Sequence, residues 1–191
     1  TGNRLQVKNG TRVIWESVAN ESFVRAGTQQ LDAHELRGSF TVNENIATQC
    51  TDQTISSFTQ NGTEVVFKGR LTGNTACATN YTLTFTQPIT GHLRFKLNID
   101  NSAVNYSELA YSSTADERFH GFGEQFSVLN MKGKTVPVLS EEGGVGRGHQ
   151  PITAAVNLGS KGAAGNELTT YYAVPQYITN TNKSLFLENT D

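Results

Sequence analysis

Apolar residues in this chain recur at every second position, in short runs broken by turn residues, and that pattern admits few folds other than packed β-sheets. The run His92-Leu93-Arg94-Phe95-Lys96-Leu97-Asn98-Ile99 is the clearest, with Leu93, Phe95, Leu97 and Ile99 on one face. Shorter runs of the same kind are Arg12-Val13-Ile14-Trp15, Glu64-Val65-Val66-Phe67, Tyr81-Thr82-Leu83-Thr84-Phe85, Thr170-Tyr171-Tyr172-Ala173-Val174 and Ser184-Leu185-Phe186-Leu187-Glu188. Between Phe85 and His92 lies Gln87-Pro88-Ile89-Thr90-Gly91, a turn with proline early and glycine late. The runs on either side of it therefore form an antiparallel hairpin with one dry face. The one stretch with helical character is residues 29–36, and it is short. No internal repeat or linker divides the 191 residues, so the expected fold is a single all-β domain over residues 1–191, an antiparallel β-sandwich.

A formal net charge of -2 argues against broad attraction to nucleic acid or to an anionic membrane. No run approaches the ~20 consecutive apolar residues of a bilayer-spanning helix. The start, Thr1-Gly2-Asn3-Arg4, lacks the apolar core of a signal peptide. Cys50 and Cys77 belong to no CxxC pair and have no histidine at ligand spacing, which leaves a disulfide as the sharper reading and free thiols as the alternative. The four histidines are scattered, so neither a metal nor another cofactor is expected. Asn9, Asn20, Asn61, Asn80, Asn105 and Asn182 each begin an N-x-S/T triplet, against about three expected by chance in a chain this rich in Asn, Ser and Thr. Cysteine usage and triplets together favour a secreted, extracellular protein.

From Glu117 the sequence becomes specific. Glu117-Arg118-Phe119-His120-Gly121-Phe122-Gly123-Glu124-Gln125-Phe126 is followed by a polar turn at Lys132-Gly133-Lys134 and then by Val136-Pro137-Val138-Leu139-Ser140-Glu141-Glu142. The glycine loop Gly143-Gly144-Val145-Gly146-Arg147-Gly148 comes next. This order resembles the amino-terminal, galactose mutarotase-like β-sandwich of glycoside hydrolase family 31, and looks most like the branch holding sulfoquinovosidases and related α-glucosidases. In that family a strand ends in a G-x-G-E motif, here Gly121-Phe122-Gly123-Glu124, and a short apolar strand then leads into an acidic loop at the mouth of the catalytic barrel. The chain departs from the branch in having Glu142 where glutamine is common, and an extra glycine in Gly143-Gly144.

The resemblance implies a retaining α-glycosidase whose two catalytic carboxyl groups stand about 5 to 5.5 Å apart on a (β/α)8 barrel. That barrel follows the sandwich in the family, so no catalytic residue is expected here, and the sandwich itself is expected to lack its final strands. The partners implied are an α-glycoside substrate and the barrel of the same protein. Glu142 is the residue expected to accept hydrogen bonds from sugar hydroxyls, with Glu141 the fallback and Arg147 a third substrate-side candidate, favoured to pin the loop by pairing with Glu124 or Glu142. Adjacent strand residues face opposite ways, so Glu141 and Glu142 do not flank one bond. The glycine loop is not expected to be a phosphate cradle, because such a cradle needs a helix after it and His149-Gln150-Pro151 follows with no amphipathic pattern. Phe119, Phe122 and Phe126 are expected as buried strand residues rather than a sugar-stacking platform. The competing readings are a stand-alone carbohydrate-binding module and a cell-surface adhesion domain.

Overall fold

The computed structural model describes residues 4–36, 38–142, 150–160 and 164–189. The chain divides into two compact units, the first being Thr1–Leu31 with Glu44–Ser112 and the second Asp32–Asn43 with Ser113–Asp191.

The first unit carries the alternating runs up to Ile99. A hairpin joins β1 (Gln6–Asn9) to β2 (Arg12–Glu16) around Gly10, whose φ of 60° suits a residue without a side chain. Strands β3 (Val24–Leu36), β4 (Ser39–Cys50), β5 (Asp52–Asn61), β6 (Glu64–Thr72), β7 (Thr79–Thr86), β8 (Arg94–Ile99) and β9 (Tyr106–Leu109) follow, with the end of β3 from Asp32 and the start of β4 up to Asn43 counted in the second unit. They form a three-stranded sheet in the order β4-β3-β9 and a four-stranded sheet in the order β5-β6-β7-β8. Side chains from both sheets meet in one core: Val24 and Ala26 from β3, Phe67 and Leu71 from β6, and Tyr81, Leu83 and Phe85 from β7. This is the sandwich the alternation predicts, and each fully buried large side chain contributes roughly 1.5–3 kcal/mol. Leu93, Phe95, Leu97 and Ile99 pack against that core together, and β7 and β8 pair antiparallel with Leu83 opposite Leu97 and Phe85 opposite Phe95.

Two links tie the layers. The Gln53 carboxamide on β5 accepts from the backbone N–H of Phe23 (2.9 Å) and Val24 (3.1 Å), and donates to the Tyr81 hydroxyl (2.5 Å). Burial pushes the Tyr81 phenol above its ordinary pKa, so it stays a neutral partner. Cys50, at the end of β4, and Cys77, just before β7, form a disulfide 27 residues apart in sequence, both fully buried. Free thiols are thereby excluded.

The second unit holds β10 (Phe119–Gly123), helix α1 (Pro151–Ser160), β11 (Ala173–Thr179) and β12 (Ser184–Phe186), with the strands in the order β10-β11-β12. Five expectations need correction. Residues 29–36 are the far part of strand β3, where the Asn105 side chain both accepts from Gln29 N–H and donates to Gln29 C=O, fixing an extended backbone against local helical preference. A helix does follow Pro151: proline sits at the first helical position, where its missing N–H is no loss. Its apolar Ile152 and Leu158 are exposed and Thr153 is its buried residue, so no amphipathic pattern marked it. Residues 136–142 form no strand, apart from a single parallel bridge between Ser140 and Thr170. Phe126 is 62% exposed rather than buried, because the chain leaves β10 at Gly123. The run 170–174 becomes strand from Ala173 onward only.

Candidate functional site

The G-x-G-E motif is a backbone device. Gly121, Phe122 and Gly123 all have positive φ, at 137°, 65° and 100°, and the register of β10 against β11 shifts between Gly121 and Gly123. A Cβ on Gly123 would lie 1.8 Å from the Tyr172 carbonyl oxygen, and one on Gly121 2.5 Å from that of Gln176. Only glycine fits either place. The Phe122 ring packs on Tyr177 at 5.6 Å between centroids. The bulge turns the chain so that Glu124 N–H donates to Tyr172 C=O, and Thr170 Oγ1 donates to Glu124 C=O at 2.7 Å.

Thr170 in turn positions the acidic loop. Glu141 N–H donates to Thr170 C=O at 2.8 Å, and the Ser140 hydroxyl accepts from Ala173 N–H at 3.1 Å. On its other side the loop meets the turn between β3 and β4, where Glu142 N–H donates to Gly38 C=O at 2.8 Å. Gly38, at φ 78°, leaves room for the Glu142 side chain, since a Cβ there would stand 3.0 Å from Glu142 Cβ. The Gly38 N–H is taken by the Glu35 carboxylate at 2.7 Å.

The two glutamates have different surroundings. Glu141 is 6% exposed, and its Oε2 accepts from Phe40 N–H at 3.1 Å, so this carboxylate fastens the loop to the β3–β4 turn. Glu142 is exposed, with its backbone anchored. One carboxylate is buried and the other exposed, an arrangement unsuited to a pair acting as acid and base across one bond. Glu142 offers an exposed acceptor on a fixed backbone, suited to hydroxyl donors. Arg147 and the glycine loop 143–148 lie outside the described residues. An open cleft of about 620 Å³ elsewhere in this unit is lined by Thr135, Pro137, Thr153, Asn157, Asn166 and Glu167 among others. Neither Glu141 nor Glu142 is among its described lining residues.

Sequence reasoning missed one residue of this region, Glu117. It is 2% exposed, accepts from Thr181 Oγ1 at 2.7 Å, and pairs with Lys183 Nζ at 3.2 Å. Burial alone would raise its pKa, but the Thr181 and Lys183 bonds outweigh that and hold the carboxyl below its ordinary value. A charged residue at the head of a strand carries no signal of burial; its partner Lys183 lies in the turn before β12, where the sequence shows only a polar run.

Asn9, Asn20, Asn61, Asn80, Asn105 and Asn182 are all exposed. Among the described residues no cluster of His, Cys, Asp or Glu is arranged to hold a metal, and no helix is long and apolar enough to cross a bilayer.

No family model matches the chain. Over 89 residues, 47% of the chain, it is 29% identical to the sulfoquinovosidase of Escherichia coli (strain K12), of which it covers 13%. Its fold is similar to that of a GH31 family sulfoquinovosidase from E. rectale, solved with an aza-sugar inhibitor, at a TM-score of 0.80 and 21% identity. That likeness covers 98% of this chain and 27% of the other. The chain thus spans a small part of the length of either relative; both are sulfoquinovosidases, and the solved one belongs to family 31, the family whose resemblance is read from Glu117 onward.

Proposed function

We propose that this chain is the non-catalytic amino-terminal part of a secreted family 31 retaining α-glycosidase, which packs on a catalytic barrel and lends the Glu142 loop to the substrate entrance. The observation that carries the reading is the agreement of a sequence relative and a structural relative on one enzyme type. Surface character supports the packing role. In the second unit Phe126, Leu129, Tyr172, Ile178 and Phe186 are each more than half exposed, and large exposed apolar side chains in number mark a surface that another domain covers. Secretion is supported by the buried disulfide and by the exposure of all six triplet asparagines.

In this reading the barrel supplies the chemistry, and this chain's residues position and bind. Glu141 holds the loop down, the Gly121–Gly123 bulge aims the chain toward it, and Glu142 accepts from substrate hydroxyls. A carboxylate only accepts hydrogen bonds, so Glu142 reads ring hydroxyls and not an anionic substituent. The test is Glu142→Ala in the full enzyme, assayed on an α-glucoside and on an α-sulfoquinovoside. Loss of a charge-assisted bond made equally in ground and transition states raises KM roughly tenfold with kcat little changed. Unchanged kinetics on both substrates would remove Glu142 from the site. The chain by itself is expected to hydrolyse neither. A stand-alone sugar-binding module is less well supported, because the single tryptophan, Trp15, is buried in the sandwich core.

A further inference from the structure

Strand β5 is the edge of the four-stranded sheet, with β6 as its partner among the described residues. Nine of its ten residues are exposed, and Ile55 and Phe58 show 50% and 56% of their surface. Edges of this length are ordinarily guarded by lysine, proline or inward charge. Strand β5, Asp52-Gln53-Thr54-Ile55-Ser56-Ser57-Phe58-Thr59-Gln60-Asn61, has no lysine, arginine or proline, and its one charge stands at its first position.

Read backwards, the strand is nearly itself. About the midpoint between Ser56 and Ser57, serine meets serine, Ile55 meets Phe58, Thr54 meets Thr59, Gln53 meets Gln60 and Asp52 meets Asn61. A two-fold axis normal to a sheet brings two antiparallel edges together and leaves each side chain on its own face, so residues that meet must share a face. In an unbroken strand, residues an odd number apart lie on opposite faces, and this register would be forbidden. The β-bulge at Ser56 lifts the prohibition. With Ile55 opposite Gly69 and Ser57 opposite Lys68, residues Gln53, Ile55, Phe58 and Gln60 stand over Leu71, Gly69, Phe67 and Val65 on one face. Thr54 and Thr59 stand over Arg70 and Val66 on the other, with Asp52 and Asn61 over Thr72 and Glu64. The four outer pairs of the palindrome therefore each lie on a single face. A bulge often protects an edge by bending it; this one resets the parity that self-pairing needs.

We propose that β5 is a dimerisation edge, which pairs antiparallel with β5 of a second copy of this chain about a two-fold axis between Ser56 and Ser57. Charge agrees with that occupant, because the register sets the Asp52 carboxylate against the Asn61 carboxamide, a donor, and brings no like charges together. Ile55 against Phe58 is a β-branched–aromatic pair of the kind that stabilises sheets. The proposal does not rest on the glycosidase reading.

Sedimentation velocity on the full protein tests it. The unaltered protein is expected to dimerise with rising concentration. Thr54→Lys combined with Thr59→Lys sets lysine opposite lysine twice across the axis, and is expected to weaken the dimer roughly tenfold or more. Thr54→Lys combined with Thr59→Glu sets lysine opposite glutamate at the same places, and is expected to restore pairing, which a folding defect would not do. Three results would overturn the proposal: a monomer at the highest soluble concentration, a dimer indifferent to the double lysine, or a lysine–glutamate variant as weak as the double lysine.

Discussion

Glu117 shows what one buried charged side chain can hold. Its two oxygens collect Thr181 and Lys183, and next to it the Asn180 side chain accepts from Arg118 N–H and donates to the Asp116 carbonyl. The segment entering β10 is thus clamped by the turn between β11 and β12. Because the folded state depresses the Glu117 pKa, the unfolded chain binds the proton more readily. Its contribution is present above the ordinary glutamate value of about 4.3 and is lost as pH falls through the lower folded value. Thermal melts between neutral pH and about pH 3 should therefore show an acid-side loss of stability that shrinks in Glu117→Gln. At neutral pH that variant should lose about 2 kcal/mol, since Lys183 is left without its carboxylate. An acid limb of the same depth in both proteins would show that other carboxylates govern it.

At the scale of elements, the bulge of β10 accounts for a motif that the sequence shows but does not explain. Gly123→Ala should cost about 3 kcal/mol or more, because a positive φ and a collision with the Tyr172 carbonyl add together. Urea unfolding measures it, and a loss under about 1 kcal/mol would mean that the turn relaxes. Elements whose period is strict were legible beforehand: β2, β6, β7 and β8 stand where alternating residues place them, since half-burial on one sheet face writes itself into every second residue. What was illegible has causes at a distance. The end of β3 is extended because Asn105, 76 residues away, holds Gln29. Helix α1 buries too little to leave a periodic trace, and residues 136–142 take their path from single bonds to Thr170 and Gly38. In the candidate site, the expectation that Glu141 and Glu142 face opposite ways assumed a strand that residues 136–142 do not form, and which of them is buried depended on the Phe40 N–H, 101 residues earlier.

For the molecule as a whole, the disulfide is the covalent constraint, closing a span of 27 residues. Replacing Cys50 and Cys77 by alanine should lower stability by roughly 3 kcal/mol, as expected for reopening a loop of this length, and reducing agent should lower the melting temperature of the parent protein but not of the variant. A melting temperature unmoved by reductant would place the stability in the packed sheets alone. The same bond encloses the whole β5–β6 hairpin, with its exposed turn at Gly62 between the two cysteines. A protease that nicks that turn would leave two polypeptides joined by sulfur: one band on a gel run without reductant, two on a gel run with it.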